Sequence, residues 1–267
     1  HDCDYWRLYE YIEDSKSYNA IPNNDMAFKG GVTLASFHKT LLDFPKDKLP
    51  DIIPNFHNLK KRIESLMVKI KDDKFGRVTN AKKEIEFIND NIDEYVKLHE
   101  ILTSPNIPKR VIHQDPKFNN ILFDLNDNPL CMVDLDTVMV GHLYSDIGDA
   151  IRTGANSTVE DNPDLNQTNF IFETYQSYIN GYLSIAKDFI TLNELHSIYI
   201  SPLIMTYEQS IRFLSDYING DKYYKYKTEY PDHNLIRAKN QIRLFEQMVL
   251  NREKLKDTVI NFDPSFF

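Results

Sequence analysis

The chain has 267 residues, of which 42% are hydrophobic, so it can bury a core of one large domain or one and a half. Its net charge of −9 argues against nucleic acid or an anionic membrane as a partner, since both need an excess of clustered Lys and Arg. No apolar run approaches the length of a membrane span, and Cys3 and Cys131 lie far apart without metal-ligand spacing. We expect a cytoplasmic monomer with reduced thiols.

Apolar periodicity predicts a mostly helical chain. Residues 5–12 alternate like a strand, and a helix at about 23–42 contains Gly30 and Gly31 as a weak or closely packed spot. A Pro-containing loop covers 44–54, and further helices are predicted at about 56–70, 80–102, 167–186, 192–218 and 235–254, with another beginning at 146–152. Small strands lie within 110–138. We predict an α+β fold, predominantly α, with these strands around a loop.

The residues best suited to chemistry lie between those small strands. An apolar strand leads into His113-x-Asp115, Asn120 follows five residues after the Asp, and a later strand ends at Asp134. This is the layout of a phosphotransferase catalytic loop and its metal-binding strand. We expect Asp115 to accept a hydroxyl proton, and Asn120 and Asp134 to hold Mg²⁺ against a triphosphate. His113 completes the catalytic set as a buried brace.

A glycosidase is the competing interpretation of the paired carboxylates. Asp134 and Asp136 are two residues apart, and strand geometry would put them on one face, roughly 6–7 Å apart. That separation does not exclude an acid and base pair for glycoside hydrolysis. The glycosidase hypothesis leaves Asp115 and Asn120 without a role, and we rank it far below phosphoryl transfer.

Several stretches beyond the loop point to a known family. They read DLDTVM at 134–139, DIGDAIR at 146–152, IRFLSDYINGDKYY at 211–224 and HNL at 233–235. The segment 113–156 resembles the aminoglycoside and choline kinase-like phosphotransferases, which have the protein kinase fold. With the later stretches, nearly the whole chain looks most like the N-acetylhexosamine 1-kinases within that group. The resemblance implies ATP and Mg²⁺ as cofactors and a small-molecule hydroxyl acceptor, an amino sugar, as the partner.

The resemblance also implies roles for individual residues. Asp115 would be the base that activates the sugar hydroxyl, and Asp146 would brace the catalytic loop by accepting its backbone N–H groups. Arg212 and Tyr223 would contact the sugar, with Asp136 as a further candidate. The alternative for Arg212 is a helical ion pair with Asp216, one turn further on.

The N-terminal segment is predicted to end a nucleotide-binding lobe. Such kinases need a tight loop over the triphosphate and a strand Lys, yet the first glycine is Gly30 and neither feature can be placed before Asp115. We therefore interpret 1–18 as the last strand of an N-terminal lobe and a hinge, where Glu10 and Ile12 would meet the adenine. Residues 19–267 would form a helical catalytic and acceptor-binding lobe, and the sequence a fragment of a longer kinase. A metal-binding tract at 1–4 is the lesser alternative.

The leading functional hypothesis is transfer of the γ-phosphoryl group of ATP to the anomeric hydroxyl of an N-acetylhexosamine. Its rivals are a kinase of the same fold acting on choline, an aminoglycoside or a homoserine-type acceptor, and a non-catalytic binding module, since the fragment alone is expected to be inactive. A cationic acceptor would require a carboxylate-lined pocket. Arg212 and the Tyr-rich loop at 219–233 favour a neutral acceptor. One tyrosine of that loop would stack on the sugar, and the candidates are Tyr223, Tyr224, Tyr226 and Tyr230. The alternative is that these tyrosines only pack the loop.

Overall fold

The computed structural model describes residues 8–224, 230 and 232–262. Its helices are α1 (Asn24–Thr40), α2 (Leu59–Asp72), α3 (Lys82–Leu102), α4 (Leu143–Gly154), α5 (Phe172–Ala186), α6 (Leu192–Ser197), α7 (Ser201–Ile218), α8 (His233–Leu250) and α9 (Arg252–Phe262). Its strands are β1 (Arg110–Ile112), β2 (Ile121–Phe123), β3 (Pro129–Met132) and β4 (Met139–Gly141). Helices dominate, and the strands are short and antiparallel, which confirms the predicted α+β, predominantly α, fold class.

Helices α1 and α5 pack with their backbones in contact. A Cβ atom on Gly31 would lie 2.0 Å from the carbonyl oxygen of Tyr178, and one on Gly181 would lie 2.1 Å from that of Phe28. Only glycine permits this approach, because any side chain would force the helices apart. The glycine pair in α1 is therefore a closely packed spot.

Helix α7 runs through the centre of the helical layer. Every residue of it is buried except Arg212, which is half-buried. Its Tyr207 ring meets Tyr95 of α3 at a centroid distance of 5.0 Å and Phe245 of α8 at 5.8 Å. Gln209 and Arg212 of α7 approach the loop at 113–120, since they line one cavity with Gln114 and Asp115.

The small strands hold the loop at 113–120 between them. Strand β1 pairs with β4, with Arg110 opposite Gly141 and Ile112 opposite Met139. Strand β2 pairs with β3, with Ile121 opposite Met132. Since the loop leaves β1 and enters β2, each end of it is tied to a different ladder. The predicted placement of strands around this loop is confirmed.

The N-terminal segment differs from the strand predicted at 5–12. Residues 8–12 are irregular, and the remainder of that prediction lies outside the described residues. A strand needs a partner for its backbone groups, and in the part of the chain that the structure describes none pairs with 8–12. Regular pairing begins at Lys16, whose N–H and carbonyl both bond to Phe123 at 2.9 Å. The assignment of 1–18 to a lobe boundary and hinge stays a prediction.

Two predicted helices are each divided. The helix expected at 192–218 breaks between α6 and α7, because Pro202 has no N–H with which to continue the helical hydrogen bonds. The helix expected at 235–254 is interrupted at Asn251, and α9 continues from Arg252. None of the described helices has both the length and the apolarity to span a bilayer.

Candidate active site

His113 is buried beneath the catalytic loop with both ring nitrogens engaged. Its Nδ1 accepts the backbone N–H of Asp115 at 3.3 Å, which assigns the ring proton to Nε2. That Nε2 donates to the Val133 carbonyl at 2.9 Å. The ring therefore joins the loop to the segment after β3, and it has no nitrogen left to exchange a proton with a substrate.

The buried carboxylate of Asp146, in the first turn of α4, holds the loop from below. Its Oδ2 accepts the N–H of His113 and its Oδ1 that of Gln114, both at 2.7 Å. His38 of α1 lies 2.9 Å from the same Oδ2 through Nε2 and 3.1 Å from the Tyr182 hydroxyl through Nδ1. The sequence offered no signal for His38, because it joins this network from 108 residues away.

Asp115 stands at the loop's exposed side, beside a cation that the sequence interpretation did not single out. Lys117 Nζ lies 2.8 Å from Asp115 Oδ1. Burial disfavours the Lys117 ammonium, but the Asp115 and Asp149 carboxylates outweigh this effect and raise the pKa of Lys117. The side-chain amide of Asn120 donates to the Asp115 carbonyl at 2.9 Å. The carboxylate is thus fixed next to a permanent positive charge.

Asn120 and Asp134 are brought together by the backbone. The N–H of Val133 donates to the Asn120 carbonyl at 2.9 Å, and Asp134 follows directly in a left-handed conformation with φ 60°. The amide nitrogen of Asn120 is engaged with the loop, which leaves its Oδ1 as the remaining side-chain ligand, and the Asp134 carboxylate is exposed. Two oxygen ligands of this kind fit Mg²⁺, which takes the rest of its coordination from water and phosphates.

The strand geometry assumed for Asp134 and Asp136 is wrong. Strand β3 ends at Met132, Asp134 is left-handed, and Asp136 lies in a single 3₁₀ turn over Leu135–Thr137. The two carboxylates therefore do not share one face of a strand, and the argument for a glycosidase pair loses its geometry. Among the described residues, no three His, Cys, Asp or Glu side chains cluster as a metal site, so a metal here would depend on Asn120 as well.

A central cavity of about 270 Å³ opens above the catalytic loop. It brings together Asp115, Arg212 and Tyr223, three residues that the sequence assigned to the reaction and its acceptor, whereas Asp136 is not among its lining residues. The other charged residues of its wall are Lys117, Asp149, Arg152, Glu160 and Arg237.

Arg212 is held by aromatic and amide contacts. Its guanidinium lies over the Phe56 ring at 4.9 Å and the Tyr224 ring at 5.7 Å, and Nη1 donates to Gln209 Oε1 at 3.0 Å. The alternative pairing with Asp216 does not occur. The hydrogen bond to Gln209 engages Nη1, and the side chain lines the central cavity, where other N–H groups of the guanidinium can donate to a ligand.

Asp216 instead anchors the loop after α7. Its carboxylate accepts the backbone N–H groups of Lys222, Tyr223 and Tyr224 at 2.9–3.0 Å and the side-chain amide of Asn234 at 3.1 Å. Tyr223 is 66% exposed at the cavity, so its ring has room for a ligand. Tyr224 is packed against Phe213 and Arg212. The predicted candidate Tyr226 lies outside the described residues.

The remaining carboxylates of the central cavity are neutralised within its wall. Arg152 Nε lies 2.8 Å from Asp149, and its Nη1 lies 3.1 Å from Glu160, which also pairs with Arg237. Burial raises the pKa of the Asp149 carboxyl, but Arg152 and Lys117 outweigh it and keep that pKa below the ordinary value. These carboxylates are ionised and already paired.

The two residues predicted to lie in a hinge, Glu10 and Ile12, are not among those that line this cavity. Glu10 is exposed, and the Ile12 carbonyl accepts the Ser15 hydroxyl at 2.6 Å in a turn. The turn leads to Lys16 and so to β2, which places the segment on the same side of the molecule as Asn120. Their contact with adenine stays a prediction.

Comparisons with known proteins identify a family for the chain and proteins of similar fold. The model of the APH phosphotransferase enzyme family matches residues 1–178, which include the catalytic loop and Asp146. The fold is similar to that of an aminoglycoside phosphotransferase from Alicyclobacillus acidocaldarius (12% identity, 96% of this chain and 70% of that chain, TM-score 0.55). It is similar to a choline/ethanolamine kinase family protein from Mesorhizobium loti (14% identity, 94% and 71%, TM-score 0.53).

A choline kinase from Cryptosporidium parvum Iowa II also matches (16% identity, 88% of this chain and 66% of that chain, TM-score 0.46). The chain thus spans between 66% and 71% of the length of these three proteins. Identities this low show the fold alone, whereas the family model matches well over half of the chain. The chain belongs to the phosphotransferase enzyme family.

Proposed function

We propose that this chain is the catalytic and acceptor-binding part of an ATP-dependent small-molecule kinase that phosphorylates the anomeric hydroxyl of an N-acetylhexosamine. The observation that carries the proposal is the central cavity, where Asp115, Arg212 and Tyr223 meet although 108 residues separate the first from the last. A binding module without catalysis needs neither a carboxylate such as Asp115 in the wall of this cavity nor the two oxygen ligands, Asn120 and Asp134, that follow it in the sequence.

The proposed reaction assigns one step to each part of the loop. The acceptor oxygen bonds to the γ-phosphorus of ATP, the bond from that phosphorus to the bridging oxygen breaks, ADP leaves, and the hydroxyl proton passes to the Asp115 carboxylate. Asn120 and Asp134 would hold Mg²⁺. The ion, when bound, neutralises charge on the phosphate oxygens. Lys117, next to Asp115, is placed to attract the transferred group as its negative charge shifts.

Arg212 and Tyr223 would position the acceptor. The planar fork of Arg212 can donate to hydroxyl or acetamido oxygens, and the exposed ring of Tyr223 can pack a sugar face or bond a hydroxyl. Such positioning converts binding energy into correct alignment of the reacting oxygen with Asp115.

Charge around the site argues against a cationic acceptor such as choline or an aminoglycoside. In the central cavity, Asp149 and Glu160 are paired with arginines and Asp115 is paired with Lys117. A basic cavity of about 310 Å³ adjoins it through Arg212, Tyr223 and Tyr224. Its wall adds Arg62, Lys69 and Lys222 to Arg212, with Asp216 as the one carboxylate. A cation would enter a positive potential there, whereas a neutral, hydroxyl-rich acceptor would not be repelled.

A product analysis tests the proposal. The full-length protein is incubated with Mg-ATP and each of a set of acceptors: N-acetylhexosamines, choline, an aminoglycoside and homoserine. We expect ADP release with the N-acetylhexosamines and a sugar 1-phosphate, identified by its phosphorus NMR coupling to the anomeric proton. Turnover of choline or the aminoglycoside alone, or a phosphate on another sugar oxygen, would contradict the proposed acceptor.

A further inference from the structure

A third cavity, of about 280 Å³, adjoins the central cavity on the β4 side, and we call it the histidine cavity. The two cavities share four lining residues: Ile53, Phe56, His57 and Gln114. His99 and His142 also line the histidine cavity. Because Gln114 immediately precedes Asp115, a ligand bound to Asp115 lies within reach of the boundary between the two spaces.

Among the described residues that line the histidine cavity, three buried polar atoms lack a hydrogen-bond partner within the protein: Gln114 Oε1 and His57 Nε2 at the boundary, and His142 Nδ1 away from it. Buried polar groups are almost always hydrogen-bonded, because leaving one unpaired forfeits its interactions with water. A ligand in this cavity could supply the missing bonds.

Gln114 Oε1 defines what kind of ligand this is. An amide oxygen can only accept hydrogen bonds, so the missing ligand group is a donor, such as a hydroxyl or an amide N–H. His57 lines the same boundary, where its Nδ1 lies 3.1 Å from Oε1 of the buried Glu208. Interactions with His57, Arg212 and Arg62 outweigh the effect of burial and lower the pKa of the Glu208 carboxyl.

Gln114 has an unusual backbone for a residue with a long side chain. Its φ is 72°, in the left-handed region that Gly or Asn adopts more easily. Asp146 imposes this conformation by accepting the N–H groups of both His113 and Gln114. A glycine would satisfy Asp146 at lower conformational cost, so the glutamine side chain is present at a position where its backbone conformation is unfavourable.

We infer that Gln114 selects the acceptor by accepting a hydrogen bond from one of its hydroxyl or amide donors, at the boundary between the central and histidine cavities. The inference rests on the proposed function and extends it: Arg212 donates to acceptor oxygens, and Gln114 accepts from an acceptor hydroxyl. A sugar presents both kinds of group on neighbouring carbons. Gln114 therefore determines specificity and takes no part in proton transfer.

The test compares Gln114→Gly with the parent protein on an N-acetylhexosamine and on its deoxy analogues, each lacking one hydroxyl. In the parent we expect kcat/KM to be about tenfold lower for one analogue than for the full sugar, because the missing hydroxyl leaves Gln114 Oε1 unpaired. In Gln114→Gly the full sugar should lose a similar factor and that analogue should lose nothing further. Gln114→Asn, which tolerates the same φ with a shorter side chain, should fall between them.

Thermal unfolding excludes a merely structural role. Gln114→Gly should unfold at the same temperature as the parent or a higher one, because strain is relieved while Asp146 keeps its contacts. Asp14→Gly, at an exposed turn residue with φ 52°, provides a control in which strain is relieved without any change in sugar discrimination.

Equal losses for every analogue in parent and variant, or an unchanged KM for the full sugar in Gln114→Gly, would overturn the inference. Failure of the proposed function shows differently, because the parent would then leave every N-acetylhexosamine unphosphorylated. The same comparison on deoxy analogues of whichever hydroxyl acceptor the protein does use would in that case decide the role of Gln114.

Discussion

Asp115 is held at its N–H by His113, at its carbonyl by Asn120 and at its carboxylate by Lys117. The backbone contacts do not depend on the charge of the side chain. A change at the carboxylate alone should therefore alter chemistry and leave the loop in place.

Asp115→Asn should lower kcat by roughly 10²–10⁴-fold, the usual contribution of a positioned general base, while Mg-ATP binding stays nearly unchanged. Steady-state kinetics and a nucleotide titration by calorimetry measure the two effects. Asp188→Asn is the matched control, because Asp188 forms an exposed ion pair with Lys39 at 2.7 Å and should keep parental turnover. Near-parental turnover in Asp115→Asn would remove that carboxylate from the mechanism.

Arg212 tests the acceptor side of the site. Arg212→Ala should raise KM for the sugar and leave KM for ATP little changed, because the guanidinium lies at the central cavity and its own contacts are two rings and one amide. Arg243→Ala, which removes a half-buried arginine of α8 that does not line the central cavity, is the control. A variant that is only less heat-stable, with unchanged sugar kinetics, would leave Arg212 a packing residue.

At the scale of elements, the contact between α1 and α5 sets the position of His38 and so of Asp146. Gly31→Ala would place a methyl group against the Tyr178 carbonyl, and overpacking of this kind typically destabilises by about 1–3 kcal/mol. Ser36→Ala, at an exposed position of the same helix, should change stability far less. Urea unfolding compares the two, and equal unfolding midpoints would mean that the helices can separate without cost.

Local pattern predicts these elements well where one face of a helix is apolar. Helices α1, α2, α3 and α5 lie close to the ranges expected from periodicity, and the loop at 113–120 was placed from motif spacing. The apolar pattern predicts one helix over 192–218, whereas α7 begins at Ser201. Because α7 is buried on nearly all sides, its periodicity does not reveal the boundary that Pro202 marks. The pattern at 5–12 predicts an extended segment, but a strand depends on a partner that local sequence does not specify.

Some residues of the candidate site can likewise be predicted from the sequence, and others cannot. Asp115, Asn120 and Asp134 lie within 20 residues of one another, so spacing alone could group them. His57 and Glu208 are 151 residues apart, and only the packing of α7 against the segment before α2 brings them together. Gln114 sits inside the motif, yet its importance depends on a backbone angle and an unpaired oxygen, neither of which a residue pattern reports.

For the whole molecule, the distribution of charge matters more than its total. The chain is acidic, with a net charge of −9, yet arginine and lysine are concentrated around the central and basic cavities. Glu160 belongs to this cluster. Burial raises the pKa of its carboxyl, but Arg152 and Arg237 outweigh that effect and lower it below the ordinary value.

The lowered pKa of Glu160 determines how the free energy of unfolding changes in acid. A carboxyl whose pKa is lower in the folded state binds protons more readily when unfolded, so its contribution to the free energy of unfolding is complete above the unfolded pKa, about 4. The contribution is lost as the pH falls from there through the folded pKa. The same sign applies to Asp149 and Glu208, whose pKa values are also lowered. Stability should therefore decrease on acidification below about pH 4.

Glu160→Gln removes one of these carboxyls without changing its size. At neutral pH the free energy of unfolding should drop by about 1.5–3 kcal/mol, the range for hydrogen bonds to charged groups. The difference from the parent should shrink as the pH falls, because the parent loses the same interaction by protonation. Urea unfolding at a series of pH values from about 7 to 3 measures both effects. Asp188→Asn is the exposed control and should run parallel to the parent, since surface pairs contribute little. A constant gap between Glu160→Gln and the parent across that range would show that Glu160 acts through packing, independently of its charge.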